Sequence, residues 1–222
     1  MSIAARLAQV RSRIEAACAK AGRDPAEVTL IAVSKVHPPE AIRGAYAAGQ
    51  RDFGENYAQE LRDKMKALAD LPEIRWHAIG HLQTNKVKYV AGKALVHTID
   101  RADLARELVR RRGGSGACLV EVNVADEPQK SGVSPSAIHV LLGELRAIEG
   151  LEVRGLMCIP PDVDDPEETR RWFRALRELR DLHLPGGALS MGMSHDYEVA
   201  IEEGATFVRV GTAIFGPRPP RG

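Results

Sequence analysis

Cysteine is scarce in this sequence: Cys18, Cys118 and Cys158 are the only three among 222 residues. They are too few and too scattered for a disulfide framework or a zinc site, so a reducing cytoplasm is the expected compartment. Charge of one sign is lacking too. Lysine plus arginine is 31 and aspartate plus glutamate is 30, a formal net charge of +1. Nothing in that balance calls for a nucleic acid or a membrane partner. No apolar run approaches the ~20 residues of a membrane span. Low-complexity tracts, sequence repeats and linker-like stretches are absent. The Pro/Asp run 160–166 reads as a loop within one domain that covers the whole chain.

The first residues carry Arg6, Arg11 and Arg13 and no acid, as some transit peptides do. Ile3, Leu7, Val10 and Ile14 stand at helical spacing, however, and Gly22 supplies a stop. An N-terminal amphipathic helix over about 2–22 is the expectation.

What fills the rest is alternation. Short β-branched or apolar runs, read as strands, cover 28–34, 51–54, 76–79, 95–99, 117–123, 153–157, 188–191 and 206–210. Helical periodicity fills 40–48, 58–69, 85–91, 102–112, 136–148, 167–181 and 197–203, and a last short helix starts at Thr212. Eight strands alternating with helices predict an α/β fold, a single (β/α)8 TIM-type barrel. An open doubly wound sheet is the rival. It is disfavoured because the first strand ends in Ser34-Lys35-Val36-His37-Pro38, with no glycine-rich dinucleotide turn. The run Gly113-Gly114-Ser115-Gly116 lacks a following Lys-Ser/Thr and reads as a helix-to-strand turn.

In such a barrel the chemistry belongs at the C-terminal ends of the strands. Lys35 ends the first strand, after Leu30-Ile31-Ala32-Val33. Two readings stand side by side: a lysine that snorkels to the rim, or a partly desolvated amine able to form a Schiff base. Ser190-Met191-Gly192-Met193-Ser194 follows the seventh strand and Arg209-Val210-Gly211-Thr212 the eighth. Each offers a glycine, a hydroxyl and an expected helix N-terminus, the recurrent phosphate site of these barrels. Ser194 and Thr212 could equally be ordinary N-caps. A lysine and a phosphate site together suit pyridoxal 5′-phosphate (PLP). Arg209, otherwise a buried ion-pair member, would then face the pyridine nitrogen. An arginine does not give up its proton, so the nitrogen would stay unprotonated and the ring a weak electron sink. Asn56 is either a helix cap or a partner of the phenolic oxygen. His77 and His81 have a metal-like spacing, but Gly80 between them argues against a regular helix there. Glu127 and Lys130 read as a solvated pair, and Lys86, Lys88 and Lys130 as solvated lysines or a transient second PLP site.

Several ordered motifs resemble one family. They are Ala32-Val33-Ser34-Lys35, Phe53-Gly54-Glu55-Asn56-Tyr57-Ala58-Gln59-Glu60 and Trp76-His77-Ala78-Ile79-Gly80-His81-Leu82-Gln83-Thr84-Asn85-Lys86. Glu121-Val122-Asn123, Lys130-Ser131-Gly132, Gly155-Leu156-Met157-Cys158-Ile159-Pro160 and the two terminal segments continue the match nearly end to end. The sequence resembles the pyridoxal phosphate homeostasis proteins. The resemblance implies a fold-type III PLP barrel like the N-terminal domain of alanine racemase, without its C-terminal β domain, and an aldimine at Lys35. It also implies phosphate held near Ser194, Gly211 and Thr212, Arg209 at the pyridine nitrogen, Asn56 near the ring and Met191 lining the pocket. His81 stands where proline is common in the family, and Cys158 where alanine is common.

The sequence reaches only a few residues past its last motif, whereas racemases of this fold take a second base from a C-terminal β domain. His195, Tyr57 and Tyr197 are the substitutes on hand, and nothing in the sequence marks them. Losing a positioned base costs roughly 100- to 10,000-fold. The expectation is a non-catalytic, monomeric PLP carrier that supplies apo-enzymes transiently. The alternative is a PLP-dependent amino-acid racemase or related enzyme, and a Schiff-base aldolase is a third reading.

Overall fold

A computed structural model describes residues 1–113 and 116–217. Gly114 and Ser115 of the glycine-rich turn lie outside the described residues. Eight parallel strands close on themselves in sequence order: β1 Thr29–Val33, β2 Asp52–Glu55, β3 Arg75–Ala78, β4 Ala94–Ile99, β5 Gly116–Glu121, β6 Leu151–Met157, β7 Ala188–Met193 and β8 Phe207–Val210. Strand β8 pairs with β1 through Leu30 opposite Val208 and Ala32 opposite Val210, which shuts the barrel and leaves no edge. The helices are α1 Ile3–Ala21, α2 Pro39–Ala47, α3 Ala58–Ala67, α4 Ala102–Arg112, α5 Ile138–Arg146, α6 Arg170–His183, α7 Tyr197–Glu202 and α8 Thr212–Phe215.

The N-terminal segment is a helix, as its spacing predicts. Leu7, Val10, Ile14, Ala17 and Cys18 are its buried face, and Gly22 ends it in the left-handed conformation at φ 66°. It packs against α7, α8 and α2, across the seam where β8 meets β1. Arg6 makes that docking specific. Its Nε donates to the carbonyl of Ile214 at 2.7 Å and its Nη2 to that of Phe215, satisfying the open C-terminal end of the short α8.

Segment 84–89 differs from the expected α-helix: it is a 3-10 helix, Thr84–Tyr89, with Val87 its only fully buried side chain. One apolar contact per turn is too little to hold a longer helix. Similarly, 166–169 forms a separate 3-10 turn capped by Asp165 before α6 begins at Arg170.

Candidate functional site at the barrel mouth

Lys35 follows the C-terminal end of β1 in a tight turn and is half-buried. The next residue, Val36, has φ 61°. A β-branched side chain in the left-handed region is strained by about 1–3 kcal/mol. Neighbouring groups hold it there. The Val36 N–H donates to Glu60 Oε1 at 2.7 Å. Lys64, 5 % exposed, reaches from α3 and donates to Glu60 at 2.7 Å, to Glu55 at 2.7 Å and to the Ser34 carbonyl at 2.6 Å. The Ser34 hydroxyl donates to the same Glu55 oxygen at 2.6 Å. The backbone on both sides of Lys35 is therefore tied to α3. Burial pushes the Glu55 carboxyl up to about 7, against the pull of Lys64 and Ser34. On the other flank, the His37 ring stacks on Phe215 of α8, centroids 5.1 Å apart.

The predicted phosphate residues come together beside this turn. The Gly211 N–H donates to Ser194 Oγ at 3.2 Å, joining the ends of β7 and β8. A Cβ on Gly211 would stand 3.2 Å from the Val33 carbonyl oxygen, so the β8 end lies directly against the β1 end that carries Lys35. Thr212 opens α8 with Gly211 as its N-cap. Thr212 is thus not a cap, and neither is Ser194 the cap of α7. That place is held by Asp196, whose carboxylate accepts the Met193 N–H at 2.7 Å. This corrects the N-cap reading and leaves the Ser194 hydroxyl facing Gly211. Asn56 directly follows β2 and is half-buried. It abuts Gly80, where a Cβ would stand 2.3 Å from the Asn56 carbonyl oxygen. That contact admits only glycine, which accounts for Gly80 between the two histidines. Met191 is fully buried, next to a register shift between β7 and β8.

Arg209 is 4 % exposed and points into the barrel. Among the described residues it is not bound to a carboxylate. Its Nη1 donates to Ser190 Oγ at 2.7 Å and its Nη2 to the Cys158 carbonyl at 2.8 Å. Beyond Ser190 a polar column descends through the barrel. Ser190 Oγ lies 2.9 Å from His97 Nδ1, His97 Nε2 3.0 Å from His77 Nδ1, and His77 Nε2 3.1 Å from Asp52 Oδ1. Asp52 also accepts two bonds from Arg75, at 2.9 and 2.6 Å. One set of proton positions satisfies every member. Arg209 donates to Ser190, Ser190 to His97, His97 to His77 and His77 to Asp52. Both imidazoles are then neutral. Burial, followed by the proximity of His77 and Arg209, pushes His97 well below its ordinary value, in keeping with this. Burial alone would raise Asp52, but its bonds from His77 and Arg75 outweigh that and hold it below the usual range. The column thus runs from a guanidinium near the mouth to a carboxylate at the base, and it fixes the orientation of Arg209.

Glu121 ends β5 with Oε2 buried and unpartnered. Burial and the nearby Asp100 push it up to about 7, while Arg209 pulls it down. Lys64, Glu55, Glu60, His97 and Glu121 were not singled out individually from the sequence. Their roles depend on contacts between elements; Glu55, Glu60 and Glu121 stand within family-like motifs, whereas nothing signalled Lys64 or His97. His77 belongs to the column, whereas His81 lies 3.2 Å from the Ser131 hydroxyl, so the two are not a pair. Glu127 and Lys130 do form an ion pair, at 2.5 Å, but it is half-buried rather than solvated, because Lys130 also donates to the Pro160 carbonyl at 3.1 Å. Lys86 and Lys88 lie over the Tyr89 ring. Of the three candidate second bases, Tyr57 is exposed and His195 rests against the Asp164 carbonyl at 3.0 Å. Tyr197 is buried beneath the Arg13 guanidinium from α1, on the outer side of the barrel.

The arrangement suits a phosphorylated pyridine aldehyde. A backbone N–H and a hydroxyl meet at the β7 and β8 ends, a lysine stands beside them, and a buried guanidinium is held in one orientation. No helix among the described residues is long and apolar enough to cross a membrane.

Known proteins resemble this chain over nearly its full length. The family model for the alanine racemase N-terminal domain matches residues 5–219. The pyridoxal phosphate homeostasis protein of Aquifex aeolicus (strain VF5) is 47% identical over 229 residues, spanning 98% of this chain and 99% of that protein. Its counterpart in Pseudomonas aeruginosa is also 47% identical, over 98% of this chain and 96% of that one. The structure of PipY from Synechococcus elongatus with PLP bound superposes with a TM-score of 0.83, at 39% identity, covering 97% of this chain and 100% of that one. The chain therefore belongs to the alanine racemase N-terminal domain family and, within it, to the pyridoxal phosphate homeostasis proteins.

Proposed function

We propose that this protein binds PLP at the barrel mouth, as a Schiff base with Lys35, and acts in PLP homeostasis as a cytoplasmic, monomeric holder that supplies the cofactor to apo-enzymes. Ser194, Gly211 and Thr212 take the phosphate, Arg209 faces the pyridine nitrogen, Asn56 lies beside the ring and Met191 lines the pocket. The observation that carries the reading is the meeting of Ser194 and Gly211 directly against the β1 end that bears Lys35. The PLP-bound PipY and the names of the curated relatives support the choice of cofactor.

A holder rather than an efficient racemase is favoured by two features. Arg209, locked by Ser190 and the Cys158 carbonyl, offers the ring nitrogen only donors, so the bound ring is a poor electron sink. Two of the three candidate second bases are engaged elsewhere, Tyr197 under Arg13 and His195 on the Asp164 carbonyl. The test is α-proton exchange of common amino acids in deuterated water by PLP-loaded protein, with Lys35→Ala and free PLP as controls. Exchange no faster than with free PLP is expected. Lys35-dependent exchange well above it would make the chain an enzyme, and a Lys35→Ala absorption spectrum identical to the parent's would remove the Schiff base.

A further inference from the structure

The opposite end of the barrel holds a second cavity, of about 600 Å3. Thr29, Asp52, Arg75 and Ala94, the first residues of β1 to β4, line it, whereas Lys35 follows the last residue of β1. The two openings are therefore on opposite faces. Four cations surround the basal cavity: Arg75, Lys93, Arg112 and Arg154. Arg75 is committed to Asp52 at 2.6 Å and Arg154 to Glu152 at 2.7 Å. Lys93 and Arg112 make no ion pair among the described residues, and both are exposed at the rim. They are brought close by the turn at Gly92, where a Cβ would stand 3.3 Å from Arg112 Cγ. The floor is not wholly polar, since Phe207 and Trp76 contribute ring surface.

We infer that this basal cavity is an anion site, taking a small metabolite that bears phosphate groups, separate from the phosphate cup at the mouth. Its volume lies within the ~300–1,000 Å3 of small-molecule sites. Four cations against the carboxylates of Asp52 and Glu152, with Lys93 and Arg112 side by side at the rim, leave an excess of positive potential that a cleft focuses. Arginine and lysine offer only donors, so a phosphate is the complementary group. The aromatic floor accepts the less polar part of such a molecule.

Inorganic pyrophosphate is the probe, and Trp76 the reporter. The chain has two tryptophans, so Trp172→Phe leaves Trp76 alone to report. PLP-loaded protein keeps the mouth occupied. Pyrophosphate is expected to change Trp76 fluorescence saturably. The charge-reversed Lys93→Glu/Arg112→Glu protein should bind at least tenfold more weakly while keeping its PLP absorption, and that absorption shows that it is folded. PLP-free protein should bind pyrophosphate at this site as the PLP-loaded protein does. No saturable change, or equal affinity after charge reversal, would overturn the basal site. A response seen only in PLP-free protein would instead place the anion at the mouth and overturn it equally.

Discussion

At the scale of single residues, the site depends on side chains that never touch a ligand. Lys35 is oriented by a strained neighbour, and Val36 keeps its positive φ because Glu60 accepts its N–H while Lys64 holds Glu60. Lys64→Met would leave Glu55 and Glu60 without their cation. Breaking a buried pair from one side costs about 3–5 kcal/mol, and urea denaturation should show a loss of that order. Adding Glu55→Gln removes the buried carboxyl left without its cation and should recover part of it. A double variant no more stable than Lys64→Met would mean that Lys64 acts only through packing. Lys35 itself was legible as a candidate, because a lysine closing an apolar run is conspicuous. Lys64 was not. In the sequence it is one of several lysines in an amphipathic helix, and only the fold turns it inward beneath Ser34.

At the scale of elements, the short helices of the last quarter are held by arginines from elsewhere. The α7 helix has only six residues, and Glu203, at its C-cap, places a negative charge where the helix dipole disfavours it. Three arginines of α6 answer that charge. Arg170, Arg174 and Arg177 approach Glu203 at 3.1, 3.0 and 3.0 Å. Arg23 closes the same end by donating to the carbonyls of Ile201 and Ala205 at 2.8 and 2.9 Å. Glu203→Gln should cost about 2 kcal/mol or more, since charge-assisted bonds contribute ~1.5–3 kcal/mol. An unchanged denaturation midpoint would show that the clamp is screened. The loop before α7 presents Ser194, so the variant should also hold PLP less tightly. Helix positions were readable from spacing here, but the dependence of α7 on α6 was not, because the arginine run of α6 looks like an ordinary solvated face.

At the scale of the whole molecule, the barrel carries charge through its centre, which makes stability depend on pH. Glu121 is pushed up to about 7 from an ordinary 4.5. Between those values the folded chain keeps a proton that the unfolded chain has released, so this group's contribution falls as pH rises through that window. His97 acts in the opposite sense. Its depressed value means that the unfolded chain takes up a proton below about 6.5 while the folded one does not, so that contribution rises with pH. The two overlap; Glu55, also pushed up to about 7, adds to the first, and the parent's own melting profile mixes all three. Glu121→Gln separates them: its melting temperature relative to the parent should climb between pH 5 and pH 8. A constant difference across that range would place the Glu121 proton elsewhere.

The amino-acid sequence by itself determined the count and order of the strands and where the α-helices stand between them, 85–91 excepted, since periodicity and β-branched runs are local properties. It also determined which residues sit at strand ends, and so that Lys35, Asn56, Ser194, Arg209, Gly211 and Thr212 share one rim once the barrel closes. What only the tertiary structure decided is which groups face each other across that closed wall. The column from Arg209 to Asp52 draws on β8, β7, β4, β3 and β2, residues as far apart as Asp52 and Arg209, and no local signal links them. The cluster of cations at the base arises in the same way, from strand starts and a helix end that the sequence scatters between Arg75 and Arg154. Side-chain direction along each strand is legible, but partners across a barrel are set by register and shear, and those exist only when the eight strands have closed.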